Sequence, residues 1–220
     1  MNYLSEAFNF LSSKDPRWEI IIRQCQPLVY GMPMEPYWDL TSSIASQQLS
    51  THVAKVIWKR FLDLFNGIYP EPQQVLDMED SQLRAIGFSN AKVQYVKNIA
   101  QYFVDKPHSL GDLLEKTDEE LLRELTSIKG VGEWTVQMLQ IFSMHRPDIW
   151  PVKDLGVQQS FAMMYHLNMP VKELIIEMKA EAIKWQPFRS AAALLLWKWK
   201  EGGYPEKELI HTMKKGKKRR

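Results

Sequence analysis

The sequence predicts an all-α protein, and three observations carry that expectation. Apolar residues recur at three- and four-residue spacing along most of the chain, helix-capping residues stand in front of several of those runs, and no run alternates apolar and polar residues between turn signals as a strand would. The 220 residues suffice for one large domain or two smaller lobes, each with a proper core. A composition of 45% hydrophobic and 25% charged residues is that of an ordinary soluble globular chain.

Taken in order, Tyr37 to about Ser46 reads as a helix, and a second begins near Ser50 with Val53, Ile57 and Phe61 on one face. The Tyr-Pro-Glu-Pro-Gln run at 69–73 reads as a loop. Ser81 to Ile86 is a short helix stopped by Gly87, a natural residue to follow a helix end. Ser89 caps a helix reaching roughly to Phe103, and another short helix spans Asp112 to Glu115. Thr117 and Glu120 form a capping box for the helix that carries Leu121, Leu122 and Leu125. Gly130 and Gly132 interrupt that helix and a new one resumes at Glu133. Further helices follow near 154–166, 171–184 and 188–200. There is no internal repeat and no low-complexity linker.

Several function classes drop out early. The longest apolar run, Ala191 to Trp197, is far too short to span a bilayer, and no secretory leader pattern is read. Cys25 is the single cysteine, which excludes an internal disulfide and any four-cysteine zinc or iron–sulfur cluster. The five histidines (His52, His108, His145, His166 and His211) show no pairing at metal-ligand spacing. Net charge is only +2, and the tail from Lys214 to Arg220 supplies six positive charges, which leaves residues 1–213 at −4. The body is therefore not a generally basic polyanion binder, and any phosphate footprint must be local. The tail is expected to be disordered and either to add salt-sensitive, nonspecific affinity for nucleic acid or to serve only as a solubilising end.

The chemistry concentrates in two short stretches. The first is Leu-Thr-Ser-Ile-Lys-Gly-Val-Gly-Glu-Trp-Thr at 125–135: a helix, a Gly-Val-Gly hairpin and a second helix. Both glycines tolerate positive φ and the close approach of another backbone. The helix resuming at Glu133 points N–H groups outward, a natural anion site. The second is Pro-Val-Lys-Asp-Leu-Gly at 151–156, which puts Asp154 at the start of another helix. Locally that aspartate reads as an N-cap, and a cap can hold a reactive carboxylate at the same time.

Together these stretches resemble the helix-hairpin-helix DNA glycosylase superfamily, most closely its alkylpurine branch, the DNA-3-methyladenine glycosylase II type. The resemblance covers roughly residues 36–200. It implies a bilobal all-α fold without the N-terminal β-rich domain of longer relatives. One lobe would span 45–149 and end in the hairpin. The other would combine 1–44 with 150–213 and carry the catalytic aspartate, leaving 214–220 as the basic tail. By the same resemblance Asp154 is the catalytic carboxylate, Trp134, Trp197 and Met138 line the base pocket, and Gln48 and Leu49 form the wedge that fills the gap left by an extruded base. Lys129, Gly130, Val131 and Gly132 would meet a DNA phosphate. Main-chain carbonyls of Thr126, Ile128 and Val131 would hold a monovalent cation, Na+ or K+, with no cofactor needed for the chemistry.

Two positions refine the reaction. Where bifunctional relatives carry the lysine that attacks C1′, this chain has Trp134, which cannot be an amine nucleophile. The resemblance therefore implies a monofunctional hydrolase without lyase activity. Lys129 and Lys153, the nearby amines, read instead as phosphate contacts. Trp134 and Trp197 suit a cationic N3- or N7-alkylated purine, each ring contributing on the order of 1–2 kcal/mol when desolvated. Met138 stands where the family has a tyrosine. Arg189 matches a family arginine and reads either as a DNA contact or as half of an ion pair. The expected partner is double-stranded DNA with damaged bases, met by a monomer in the cytoplasm of a prokaryote or the nucleus of a eukaryote, with no membrane involved. Three alternatives stay open: a noncatalytic helix-hairpin-helix DNA-binding module, a glycosylase for other purine lesions such as hypoxanthine or ethenoadenine, and a bifunctional enzyme for oxidised bases.

Overall fold

A computed structural model describes residues 3–205 and 207. The basic tail at 214–220 lies outside them. Among the described residues the chain forms thirteen α-helices and no strand. The helices are α1 (Tyr3–Lys14), α2 (Pro16–Gln24), α3 (Pro36–Ser46), α4 (Thr51–Asp63), α5 (Pro72–Leu76), α6 (Asp80–Ala85), α7 (Asn90–Asp105), α8 (Leu110–Leu114), α9 (Asp118–Leu125), α10 (Glu133–Phe142), α11 (Leu155–Tyr165), α12 (Val171–Ala182) and α13 (Arg189–Glu201). A 3-10 turn, Ile183–Trp185, follows α12.

The helices belong to two compact units. One is continuous, Gly31–His145; the other joins Met1–Tyr30 to Arg146–Arg220. The boundaries expected at 44/45 and 149/150 therefore fall at 30/31 and 145/146. The reason is the apolar face of α3. Tyr37, Leu40 and Ile44 are buried in one core with Ile99 and Phe103 of α7 and Val136 and Leu139 of α10, so 31–44 fold with the hairpin unit rather than the other one.

The local signals that fixed the helix ends act as expected. Ser89 Oγ accepts from the Lys92 amide at 3.2 Å, and Thr117 and Glu120 make the reciprocal capping box. Gly87 has φ +111°, and a Cβ there would lie 2.5 Å from Ile57 Cδ1. Three elements were not anticipated from sequence: α1, α2 and α5. The second has an ordinary start signal: Asp15 caps it through the Arg17 amide at 2.9 Å, with Pro16 in the first turn. The loop read at 69–73 is shorter than expected, because Pro72 opens α5 behind a Glu71–Gln74 capping box.

The core of the discontinuous unit is built around tryptophan. The Trp185 ring meets Trp18 at 5.0 Å and Trp150 at 5.1 Å between centroids, both at 85°. Edge-to-face packing of this kind adds to area burial and fixes the ring orientations. Trp150 also donates from Nε1 to the Met178 carbonyl at 3.2 Å. In the continuous unit, α9 is held to α7 by Glu124. Its carboxylate accepts from Tyr102 Oη at 2.6 Å and pairs with Lys116 at 2.8 Å.

Those two partners, Lys116 first, hold the Glu124 carboxyl down at about 2 instead of the usual 4.5. A folded-state value below the unfolded one gives stability that is fully present above 4.5 and is lost as pH falls toward 2. Glu124→Gln is therefore expected to lower the melting temperature at neutral pH, with the gap to wild type closing across that acid range. Melts followed by circular dichroism check this; a gap independent of pH would remove Glu124 from the linkage.

Candidate active site and nucleic-acid interface

Asp154 sits at the N-cap of α11, at the end of a tightly tied approach. The Val152 amide donates to Trp150 O at 2.9 Å, the Asp154 amide to Pro151 O at 3.0 Å, and the buried Gln158 side chain to Val152 O at 2.8 Å. The carboxylate is half-buried, and its Oδ1 accepts from the Val157 amide and from Trp197 Nε1, each at 2.8 Å. The expected cap is thus present, and with it a bond that sequence reading did not foresee. Trp197, on α13 and singled out only as a ring for stacking, uses its indole N–H to orient the carboxylate. Gly156 makes room for this, since a Cβ there would lie 3.0 Å from both Asp154 Oδ1 and Trp197 Cδ1. A glycine two residues after the cap was the available signal, and it becomes meaningful only when Trp197 is known to be its neighbour.

In the continuous unit the hairpin between α9 and α10 treats its two glycines differently. Gly130 has φ +107°, and a Cβ there would collide with the Tyr95 ring. Gly132 has φ −101° and stands at the N-cap of α10, and a Cβ there would meet nothing within 4 Å. Of the two glycines that tolerate positive φ, Gly130 alone adopts it, and Gly132 leaves room at the start of α10. Val131 is corrected too. Its amide donates into the turn, to Ile128 O at 2.9 Å, and its side chain is buried, so it shapes the turn instead of offering a donor to a phosphate. The exposed Lys129 has its carbonyl held by Asn98 Nδ2 at 2.9 Å. Tyr95 and Asn98, both on α7, are contributors that sequence reading missed.

The run 47–50 joins α3 to α4. Gln48 is exposed and sits at φ +59°, and Leu49 beside it is also exposed. A left-handed backbone at a residue other than glycine costs roughly 1–2 kcal/mol and persists only where its surroundings enforce it. Here Gln47 Nε2 donates to Thr135 Oγ1 of α10 at 3.0 Å, and Lys92 Nζ donates to the carbonyls of Ala45 at 2.8 Å and Gln47 at 3.0 Å. Trp134, half-buried, and Met138, buried, lie one turn apart on α10.

The residues expected to act together therefore come in two sets. Gln48, Leu49, Lys129 to Gly132, Trp134 and Met138 belong to Gly31–His145, while Asp154 and Trp197 are brought together within the other unit. Arg189 is accounted for by an ion pair: Nε and Nη2 grip the two Asp148 oxygens at 2.7 and 2.9 Å. Among the described residues no cluster of three or more His, Cys, Asp or Glu forms a metal site.

The chain is similar to several known proteins. Residues 41–184 match the family described as HhH-GPD superfamily base excision DNA repair protein. The DNA-3-methyladenine glycosylase 1 of Schizosaccharomyces pombe is 35% identical over 201 residues, covering 89% of this chain and 87% of that protein. The solved structure of the S. pombe 3-methyladenine DNA glycosylase in complex with abasic DNA superimposes with a TM-score of 0.82 at 34% identity, over 89% of this chain and 97% of that one. A DNA-3-methyladenine glycosidase from Bacillus halodurans gives a TM-score of 0.72 at 27% identity, over 93% and 95% of the two chains.

Two substitutions test the local geometry. Gly130→Ala is expected to cost about 2 kcal/mol or more in an unfolding titration, from φ strain and the displaced Tyr95 ring, whereas Gly132→Ala should stay within about 1 kcal/mol of wild type. Equal costs would mean that the two glycines are not distinguished as described. Gly156→Ala should push the Trp197 indole off Asp154. The expected readout is a shifted Trp197 indole N–H resonance in a 15N–1H spectrum with little change in melting temperature, and an unmoved resonance would show that the bond does not depend on Gly156.

Proposed function

Because the chain belongs to the HhH-GPD superfamily of base excision DNA repair proteins, we propose that it is a monofunctional DNA glycosylase that flips alkylated purines out of the duplex and hydrolyses their N-glycosidic bond. The observation that carries this reading is the Asp154 carboxylate held at the start of α11 by the Val157 amide and the Trp197 indole. Nothing in a passive DNA clamp calls for that arrangement, because a clamp needs only the hairpin.

The chemistry follows from the charges. In an N3- or N7-alkylated purine the base is cationic, so the C1′–N bond breaks with its electron pair leaving on a base that becomes neutral. The sugar is left as an oxocarbenium ion. A carboxylate beside C1′ stabilises that charge, and water adds to C1′ while Asp154 orients it and takes its proton. The products are the free base and an abasic site. No acid is required for the leaving group, so a single carboxylate suffices. Trp134 occupies the position of the bifunctional enzymes' lysine, and the reaction ends in hydrolysis without a Schiff base.

The remaining roles are proposed on the same basis. Gln48, with Leu49 beside it, enters the duplex as the target base leaves. Trp134, Met138 and Trp197 meet the extruded base. Lys129, Gly130, Gly132 and the first-turn amides of α10 take a DNA phosphate, favoured by the helix terminus and the open approach at Gly132. A monovalent cation on the carbonyls of Thr126, Ile128 and Val131 fits the donor set, since neutral oxygens from one turn suit a hard singly charged ion. It would brace the hairpin and take no part in bond breaking. The substrate class proposed is double-stranded DNA carrying 3-methyladenine or 7-methylguanine, in keeping with the activity named for the S. pombe relative. The protein is proposed to act as a monomer wherever the chromosome lies, in a prokaryotic cytoplasm or a eukaryotic nucleus.

Base release from randomly methylated duplex DNA tests the assignment. Wild type should liberate 3-methyladenine or 7-methylguanine, and borohydride should trap no covalent adduct. Asp154→Asn should be slower by about a hundredfold or more while still binding duplex. Normal turnover by Asp154→Asn would remove the carboxylate from catalysis, and duplex binding without release by wild type would favour the clamp.

A further inference from the structure

One face of α7 holds two of the DNA-facing features at once. Lys92, Tyr95 and Asn98 follow at three-residue spacing, so they lie along one side of the helix over about 9 Å of its axis. Tyr95 packs under Gly130 and Asn98 holds the Lys129 carbonyl, which together seat the hairpin. One turn away, the Lys92 ammonium takes the carbonyls of Ala45 and Gln47, the last acceptors at the end of α3. Those carbonyls have no helical amide to bond, and a cation suits the negative end of the helix. The position is a costly one for an ammonium, because burial lowers the affinity of Lys92 for its proton. Its two carbonyl partners flank Ser46 and adjoin Gln48, the residue held at φ +59°.

We propose that Lys92 is a positioning residue for strand insertion: by clamping the carbonyls on either side of Ser46 it keeps Gln48 in its left-handed, exposed conformation, at a distance from the phosphate-binding hairpin that α7 sets. This rests on the glycosylase reading above. The side chain does not touch DNA in this scheme. It acts through Gln48 by removing freedom from the loop before the duplex arrives. Strand insertion then does not have to order the loop, a cost that would otherwise be drawn from the binding energy available for base flipping.

A wedge matters only when a paired base must be displaced, and the test uses that. Single-turnover release of 7-methylguanine is measured for wild type, Lys92→Met, Lys92→Gln and Lys92→Arg on two duplexes. In one the lesion faces cytosine; in the other it faces a tetrahydrofuran abasic analogue and is already unpaired. Lys92→Met is expected to be about tenfold slower on the paired duplex and within about twofold on the unpaired one. Lys92→Gln, which keeps a single amide donor group, should fall between, and Lys92→Arg should recover most of the paired rate. Melting temperatures confirm that the variants are folded. Equal slowing on both duplexes, or none on either, would overturn the role of Lys92 while leaving the glycosylase reading intact. Wild type that releases no base from these duplexes or from randomly methylated DNA would instead overturn the glycosylase reading and the insertion role with it.

Discussion

An α-helix cannot satisfy the backbone polar groups of its own ends, and this protein builds its candidate chemistry at three such ends. At the start of α11 the orphan amides meet a carboxylate, and Asp154 gains both its cap and its orientation. The start of α10 has no side-chain cap, because Gly132 there carries no side chain. At the close of α3 the orphan carbonyls meet an ammonium reaching across from α7. The same physical deficit is thus met by a side chain in two cases and not in the third. On the proposed function, that division gives an oriented carboxylate, a braced loop and an anion site.

Rigidity at the carboxylate comes from a chain of close approaches. Gly156 lets the Trp197 indole near, the indole N–H and the Val157 amide share Oδ1, and Gln158 secures the approach through Val152. A preorganised carboxylate needs no rearrangement as charge develops on the sugar, and such preorganisation is where most electrostatic catalysis originates. The tryptophan cluster of Trp18, Trp150 and Trp185 belongs to the same unit, and Trp150 stands four residues before Asp154.

What could be read from the sequence divides by range. Ser89, Gly87, the Thr117–Glu120 box and the Asp154 cap act within a few residues, and all were legible. The lobe boundary was not, because it depends on α3 burying Tyr37, Leu40 and Ile44 against helices far along the chain. Nor was the difference between Gly130 and Gly132, which looks the same in sequence and is decided by where Tyr95 stands. Val131 fits the hairpin motif equally well as a donor or as a filler; only its bond to Ile128 distinguishes them. Lys92 and Trp197 were beyond reach as partners, since each joins groups more than forty residues apart. The family resemblance supplied the list of candidate site residues, while the contacts of Lys92, Tyr95 and Asn98 that hold the loop and the hairpin come from outside its motifs.

The use of one face of α7 for two purposes also sets what kind of sequence change that helix can absorb. Replacing any residue between Lys92 and Asn98 alters one side chain and leaves the rest of the face in place. Inserting or deleting a single residue there would turn everything beyond it by about 100° and shift it by about 1.5 Å, so that either the loop or the hairpin would lose its support. Descendants of this chain can therefore vary an exposed position such as Gln94 far more readily than the buried Val93 and Val96 or the length of that segment, and insertions would accumulate instead in stretches such as the turn around Asn66 and Gly67, where the backbone already leaves the helix.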